Sequence, residues 1–139
     1  MKEPNATEII PNLWLGDYFS SNDYNFIKQN NIKTIVNVTP NYPNVFNNIE
    51  YLRLPIRDRL IYSKYLKNNI KKCINFINEA RLKSYGVLVH CKRGHRRSAT
   101  IVAYYLSYLN NISFNSAKKW IKYRRPRCFP DGSVLSNNV

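Results

Sequence analysis

One stretch, His90-Cys91-Lys92-Arg93-Gly94-His95-Arg96-Arg97-Ser98, constrains the fold more than any other part of the chain. Before it stands Gly86-Val87-Leu88-Val89, a short apolar, β-branched run that reads as a strand. After it, from Ser98 to Leu109, the residues Val102, Tyr105, Leu106 and Leu109 recur at the i, i+3, i+4, i+7 spacing of a helix face. Cys91 to Arg97 is therefore a strand-to-helix turn. Such a turn gathers backbone N–H groups into one concavity at the positive end of a helix dipole, which makes an anion site. A cysteine at its base has its thiolate stabilised by the same dipoles and by nearby cations. A thiolate held beneath a bound phosphate is a nucleophile aimed at phosphorus.

Around this unit the pattern alternates strands and helices. Leu13 to Leu15 predicts a short strand, with Gly16-Asp17 as a turn. Asp23 to Asn30 predicts a helix capped by Ser21 or Asn22. Lys33 to Val38 predicts a buried strand. A loop with Pro40 and Pro43 covers 41–48, and Glu50 to Leu54 predicts another strand. Leu66, Ile70, Cys73, Ile74, Ile77 and Ala80 repeat at helical spacing, so a long helix fills Ser63 to Leu82. Ser113 caps a last helix with Phe114, Ala117, Ile121 and Arg124 on one face, and Pro126 stops it. The expected fold is α/β: a central, mostly parallel twisted sheet flanked by crossover helices, with the anion loop between a strand and a helix.

The chain of 139 residues is read as one domain, 1–139, large enough for a real core. Its net charge of +14 attracts anions such as phosphorylated proteins, inositol phosphates, nucleic acid or acidic lipid. The basic residues are scattered rather than gathered in one arm, which argues against specific nucleic-acid binding. No apolar run reaches the length of a membrane span, and Met1-Lys2-Glu3-Pro4-Asn5 carries no secretory signal pattern. Three cysteines without framework spacing fit a reducing, intracellular compartment, cytoplasm or nucleus. Cys73 reads as a helix-face hydrophobe and Cys128 as a loop residue.

Cys91 is the candidate nucleophile. Arg97 is placed to clamp phosphoryl oxygens, because a planar guanidinium makes two parallel hydrogen bonds and follows charge into the transition state. Ser98 stands where a hydroxyl N-caps the helix. Gly94 permits a tight loop and a close backbone approach to phosphate. His90 and His95 are the only histidines and have no carboxylate cluster beside them, so neither a metal nor any other cofactor is expected.

His-Cys-x5-Arg-Ser resembles the signature loop of the cysteine-dependent protein tyrosine phosphatase superfamily, and its flanks resemble the dual-specificity branch. Pro11-Asn12-Leu13-Trp14-Leu15-Gly16 is similar to that branch's opening strand, and Asn31 to Thr39 to its first central strand. Tyr51-Leu52-Arg53-Leu54-Pro55-Ile56-Arg57-Asp58 is similar to the strand and loop bearing its general acid. Arg125-Pro126-Arg127-Cys128-Phe129-Pro130 is similar to its late Arg-Pro segment. The resemblance implies that Asp58 protonates the leaving oxygen and then activates water. It implies that the Ser98 hydroxyl assists the leaving thiolate, and that His90 orients the loop and helps to depress the thiol pKa without acting as a base. An ordinary loop aspartate paired with Arg57 or Arg59 is the plainer reading of Asp58. Two departures stand out. Asp131 occupies the place where the family usually has Asn, which makes it a second-choice acid. The family's further amphipathic helix is expected to be short or frayed over 132–139.

The loop interior, Lys92, Arg93, Gly94, His95 and Arg96, is assigned with Arg97 to phosphate and substrate binding. It is more basic than is common among protein-directed members, and Cys91-Lys92-Arg93-Gly94 resembles phosphatases of phosphoinositides and inositol pyrophosphates. Ser98-Ala99 resembles the protein-directed branch. The resemblance therefore implies a phosphoprotein phosphatase with a shallow pocket that accepts phosphotyrosine and phosphoserine/threonine. The alternatives are a phosphatase of a polyanionic inositol phosphate, phosphoinositide or RNA 5′-end, and an inactive phosphate-binding module. Lys92, Arg93, His95 and Arg96 are expected to ring the pocket mouth and to favour acidic or multiply phosphorylated ligands.

Overall fold

The computed structural model describes residues 5–136. Strands β1 (Ala6–Ile10), β2 (Leu13–Gly16), β3 (Ile32–Asn37), β4 (Glu50–Arg53) and β5 (Gly86–His90) form one sheet in the order β1-β2-β5-β3-β4. β1 pairs antiparallel with β2, and the other pairs are parallel. The helices are α1 (Tyr18–Asn22), α2 (Tyr24–Gln29), α3 (Ser63–Leu82), α4 (Arg97–Asn110) and α5 (Phe114–Arg124).

The strands' period of two sorts their side chains onto two faces. Leu13, Leu15, Val36, Val87 and Val89 join the core built with α3, α4 and α5. Trp14, Ile35 and Leu88 point the other way and pack with Ile27 and Phe26 of α2. β5 is buried along its whole length, as a strand covered on both faces must be. The same is true of most of α4, which buries Arg97 through Ala103, Tyr105 and Leu106. These two elements are the apolar ends of the anion loop, so the loop is anchored at the centre of the molecule.

The long helix runs Ser63–Leu82, over the expected span. Two elements were not expected. β1 pairs with β2 from Ala6 opposite Gly16 to Ile10 opposite Leu13. α1 occupies the place assigned to turn and cap residues. Its presence corrects the cap of α2: Ser21 is buried within α1, and the Asp23 carboxylate accepts from the Phe26 amide at 3.0 Å. Asp17 caps α1 in the same way, accepting from Ser20 N at 2.9 Å. At the other end the expected helix over 132–139 is also corrected. A 3₁₀ turn at Pro130–Gly132 leads into a non-helical strap over 133–136, and positions 137–139 lie outside the described residues. The strap buries Leu135, and its Val134 carbonyl accepts from the Thr100 hydroxyl.

Candidate active site

Between β5 and α4 the chain folds around a cavity of about 250 Å³ lined by Asp58, Cys91, Lys92, Arg93, His95, Arg96, Arg97 and Pro130. Most of the residues singled out from the sequence line this one hollow. His90, Gly94 and Ser98 lie immediately behind it, each buried. Gly94 has φ +74° and lies against the Gly16 backbone, so a side chain there would be strained and would clash.

Cys91 is 3% exposed, and its Sγ lies 3.0 Å from the Ser98 Oγ. Burial alone would push this thiol up. The Arg97 guanidinium, the Ser98 hydroxyl and amide, and the Gly94 amide together outweigh it and hold the pKa below the ordinary thiol value. Helix α4 begins at Arg97, so Ser98 is already inside it, and its hydroxyl turns to sulfur rather than capping. Arg97 donates through Nη1 to the Ile56 carbonyl at 2.9 Å. Its Nε is buried with no hydrogen-bond partner among the described residues.

His90 is 2% exposed, and its Nδ1 lies 3.2 Å from the Cys91 carbonyl. Burial first, then the charges of Arg97 and Arg53, bring its pKa down to about 4 against the contact with Cys91. A neutral ring can orient the loop, but it does not lower the thiol by charge; Arg97 does that by charge, and Ser98 and Gly94 add hydrogen bonds. His95 is likewise lowered to about 4, by burial and then by Arg125, Arg127, Arg93 and Arg96.

Asp58 is paired neither with Arg57 nor with Arg59. Its Oδ2 accepts from Arg96 Nη1 at 3.1 Å and its Oδ1 from the Ser136 amide at 2.8 Å. Arg96 lines the cavity, and its charge is engaged there: it clasps Asp58 and donates through Nε to the Ser133 hydroxyl at 3.2 Å. Asp131 is exposed in the 3₁₀ turn and is not among the residues lining the cavity. Lys92 and Arg93 are exposed at the rim and also line a second hollow of about 410 Å³. There they meet His95, Arg127, Asp17 and Tyr18. Tyr18 stacks on Tyr42 with ring centroids 4.0 Å apart, giving that hollow an aromatic wall.

Sequence reasoning missed Arg125, Cys128 and Ser136 as parts of the site. Cys128 is a loop residue, as expected, but a fully buried one beneath the phosphate loop, 3.6 Å from the Gly94 carbonyl. A lone arginine in so basic a chain carries no local signal. The late Arg-Pro segment was the only pointer to Arg125. Among the described residues no cluster of His, Cys, Asp and Glu could hold a metal, and no helix is long and apolar enough to cross a membrane.

A thiol held toward its thiolate, a buried guanidinium and a carboxyl group thus surround one hollow on a sheet of this order. The family model for the dual specificity phosphatase catalytic domain matches residues 13–136, and the chain belongs to that family. It is 39% identical over 131 residues to dual specificity protein phosphatase 6 of Homo sapiens, covering 92% of this chain and 34% of that protein. It is 41% identical over 128 residues to dual specificity protein phosphatase Mpk3 of Drosophila melanogaster, covering 89% of this chain and 31% of the relative. The chain thus spans about a third of the length of these relatives. The crystal structure of DUSP15 superposes with a TM-score of 0.81 at 31% identity, over 89% of this chain and 78% of that one. Human DUSP28 superposes with a TM-score of 0.84 at 23% identity over 94% and 87%, a likeness of fold.

Proposed function

We propose that this chain dephosphorylates phosphotyrosine and phosphoserine/threonine in proteins through a cysteinyl-phosphate intermediate. The observation that supports it best is the lining of one cavity by the Cys91 thiol, the Arg97 guanidinium and the Asp58 carboxyl group. In the first step Cys91 Sγ attacks phosphorus in line; the S–P bond forms, the P–O bond to the substrate breaks, and Asp58 donates a proton to the departing oxygen. Arg97 and the loop amides hold the equatorial oxygens as charge spreads over them. In the second step Asp58 takes a proton from water, water attacks phosphorus, and the Ser98 hydroxyl supports the departing thiolate. A shallow pocket, which the resemblance implies, would suit both aromatic and aliphatic phosphate esters. Relatives named as dual specificity protein phosphatases support the protein substrate. Three unpaired thiols, one of them the working nucleophile, favour a reducing intracellular setting.

Turnover of an aryl phosphate by the parent and by Cys91→Ser tests the enzyme, and the variant is expected to be inactive. Phosphopeptides run against inositol polyphosphates then test the substrate. Faster turnover of the polyphosphates would replace the protein reading with the small-molecule one. A parent chain that binds phosphate but turns nothing over would make it a binding module.

A further inference from the structure

We infer that Arg125, the residue at the C-terminal cap of α5, is a positioning residue of the phosphate loop. Its guanidinium turns the loop's amides toward the anion and sets a buried positive charge behind them. The inference rests on the reading of the Cys91 cavity as the phosphate site.

The hydrogen bonds are specific. Arg125 is 5% exposed. On one side its Nε donates to the Gly94 carbonyl and its Nη2 to the Arg93 carbonyl, both at 3.0 Å. On the other side Nη1 donates to Asn5 Oδ1 at 2.7 Å and to the Thr7 hydroxyl at 3.0 Å, and Nη2 to the Asn5 carbonyl at 3.3 Å. These acceptors are all neutral. The one ion pair among the described residues is Arg96 with Asp58; Arg125 has no carboxylate within ion-pair distance, and the groups that favour its charge are Cys128, Asp17 and Cys91. A cation so deeply placed is costly and gains from every anion that faces it. The Cys91 thiolate and a bound phosphoryl group, across the loop, are such anions.

The carbonyls explain the rest. In a planar trans peptide the N–H of one residue points opposite to the C=O of the residue before it, and the described chain has no cis bond. Four consecutive loop carbonyls are taken by donors outside the loop. Lys92 O accepts from Tyr18 N at 3.2 Å, Arg93 O and Gly94 O from Arg125, and His95 O from Phe129 N at 2.8 Å. Fixing those carbonyls outward turns the amides of Arg93, Gly94, His95 and Arg96 inward, where an anion sits. Two of the four anchors are backbone amides that any sequence supplies. The middle two come from one side chain, whose rigid fork meets two neighbouring carbonyls with two separate nitrogens, Nε and Nη2. A lysine would keep the charge and lose the fork.

The test compares the parent with Arg125→Lys, using the folded fraction measured by circular dichroism. Three quantities are read: kcat on an aryl phosphate, Kd for vanadate, and the pH midpoint of Cys91 alkylation by iodoacetamide. Loss of preorganised donors predicts a fall of about 10-fold or more in kcat and a rise of about 10-fold in vanadate Kd. The alkylation midpoint moves up, because misdirected amides stabilise the thiolate less. A merely structural arginine would lower the melting temperature and leave the midpoint and the vanadate Kd of the folded fraction unmoved; that result overturns the inference. Should Arg125→Lys fail to fold, Thr7→Val removes one partner of Nη1 and keeps the guanidinium. It is expected to raise vanadate Kd and the midpoint in the same direction by a smaller factor, and parent values for both would overturn the inference equally. Cys91→Ser separates the two levels. Turnover surviving in it defeats the reading of the cavity itself, whereas an inactive Cys91→Ser beside a parent-like Arg125→Lys defeats only the role of Arg125.

Discussion

Cys73, Cys91 and Cys128 are all buried and all unpaired, yet their surroundings divide them sharply. Burial pushes Cys73 and Cys128 up to about 12, with Lys72 and Arg125 respectively opposing it only in part. Cys91 is as buried and is nevertheless held down, because Arg97, Ser98 and Gly94 all favour its thiolate. Near neutral pH iodoacetate should therefore label Cys91 alone, and phosphate or vanadate should protect it. The sign is fixed by the direction of the shift: labelling is fast above the lowered pKa and slows as pH falls through it. Comparable labelling of Cys73 and Cys128 by mass spectrometry would count against this. Asp58 supplies the second residue-level prediction. Arg96 and the Ser136 amide hold its two oxygens, and its carboxyl group lines the cavity. Asp58→Asn keeps the size and removes the proton, so kcat should fall by about 10²–10⁴. The loss should be largest for esters with poor leaving groups, and Asp131→Asn should change little. If the two variants exchange these behaviours, Asp131 is the acid.

At the scale of elements, local chemistry decides where helices begin. Ser113 accepts from the Ser116 amide at 3.0 Å at the start of α5. Ser113→Ala should cost about 1 kcal/mol of stability, seen as a lower melting temperature with unchanged turnover per folded molecule. A melting temperature equal to the parent's would mean that the cap contributes nothing. This cap was legible in the sequence, and so was α3, because Leu66, Cys73, Ile77 and Ala80 repeat at helical spacing and all are buried. α4 was legible for the same reason, and β5 from its short apolar, β-branched run. β1 was not: Thr7 and Glu8 interrupt its apolar pattern, and it exists by pairing with β2. α1 is a five-residue helix that no periodicity can reveal, and its Asp17 cap takes meaning only once β2 has brought the chain there. In the site, Cys91, Arg97 and Ser98 were legible because they are close in sequence. Asp58 needed the family pattern. Its clasp by Arg96, 38 residues away, and the hold of Arg125 on Gly94, 31 residues away, are products of the tertiary fold.

At the scale of the whole molecule, the net charge of +14 sets up a field, and the fold decides where it is felt. Arg96 is spent on Asp58, and Arg125 is buried behind the loop. Lys92, Arg93 and Arg127 remain exposed, and all three line the hollow beside the catalytic one. Asp17 is the one acidic residue lining that hollow, so the three cations leave it net positive. A substrate whose scissile phosphate sits over Cys91 would therefore offer any second negative group to unneutralised cations. Doubly phosphorylated or acidic-flanked peptides should exceed singly phosphorylated neutral ones in kcat/KM. Exposed charges are screened over about 8 Å at physiological ionic strength, so the ratio should shrink as salt is raised. Charge seated in a fixed subsite, rather than spread over the surface, should also make the ratio sensitive to few residues. Lys92→Ala combined with Arg93→Ala should bring it toward one. A ratio that is unchanged by the double substitution and by salt would show that these cations face only water and take no part in substrate choice.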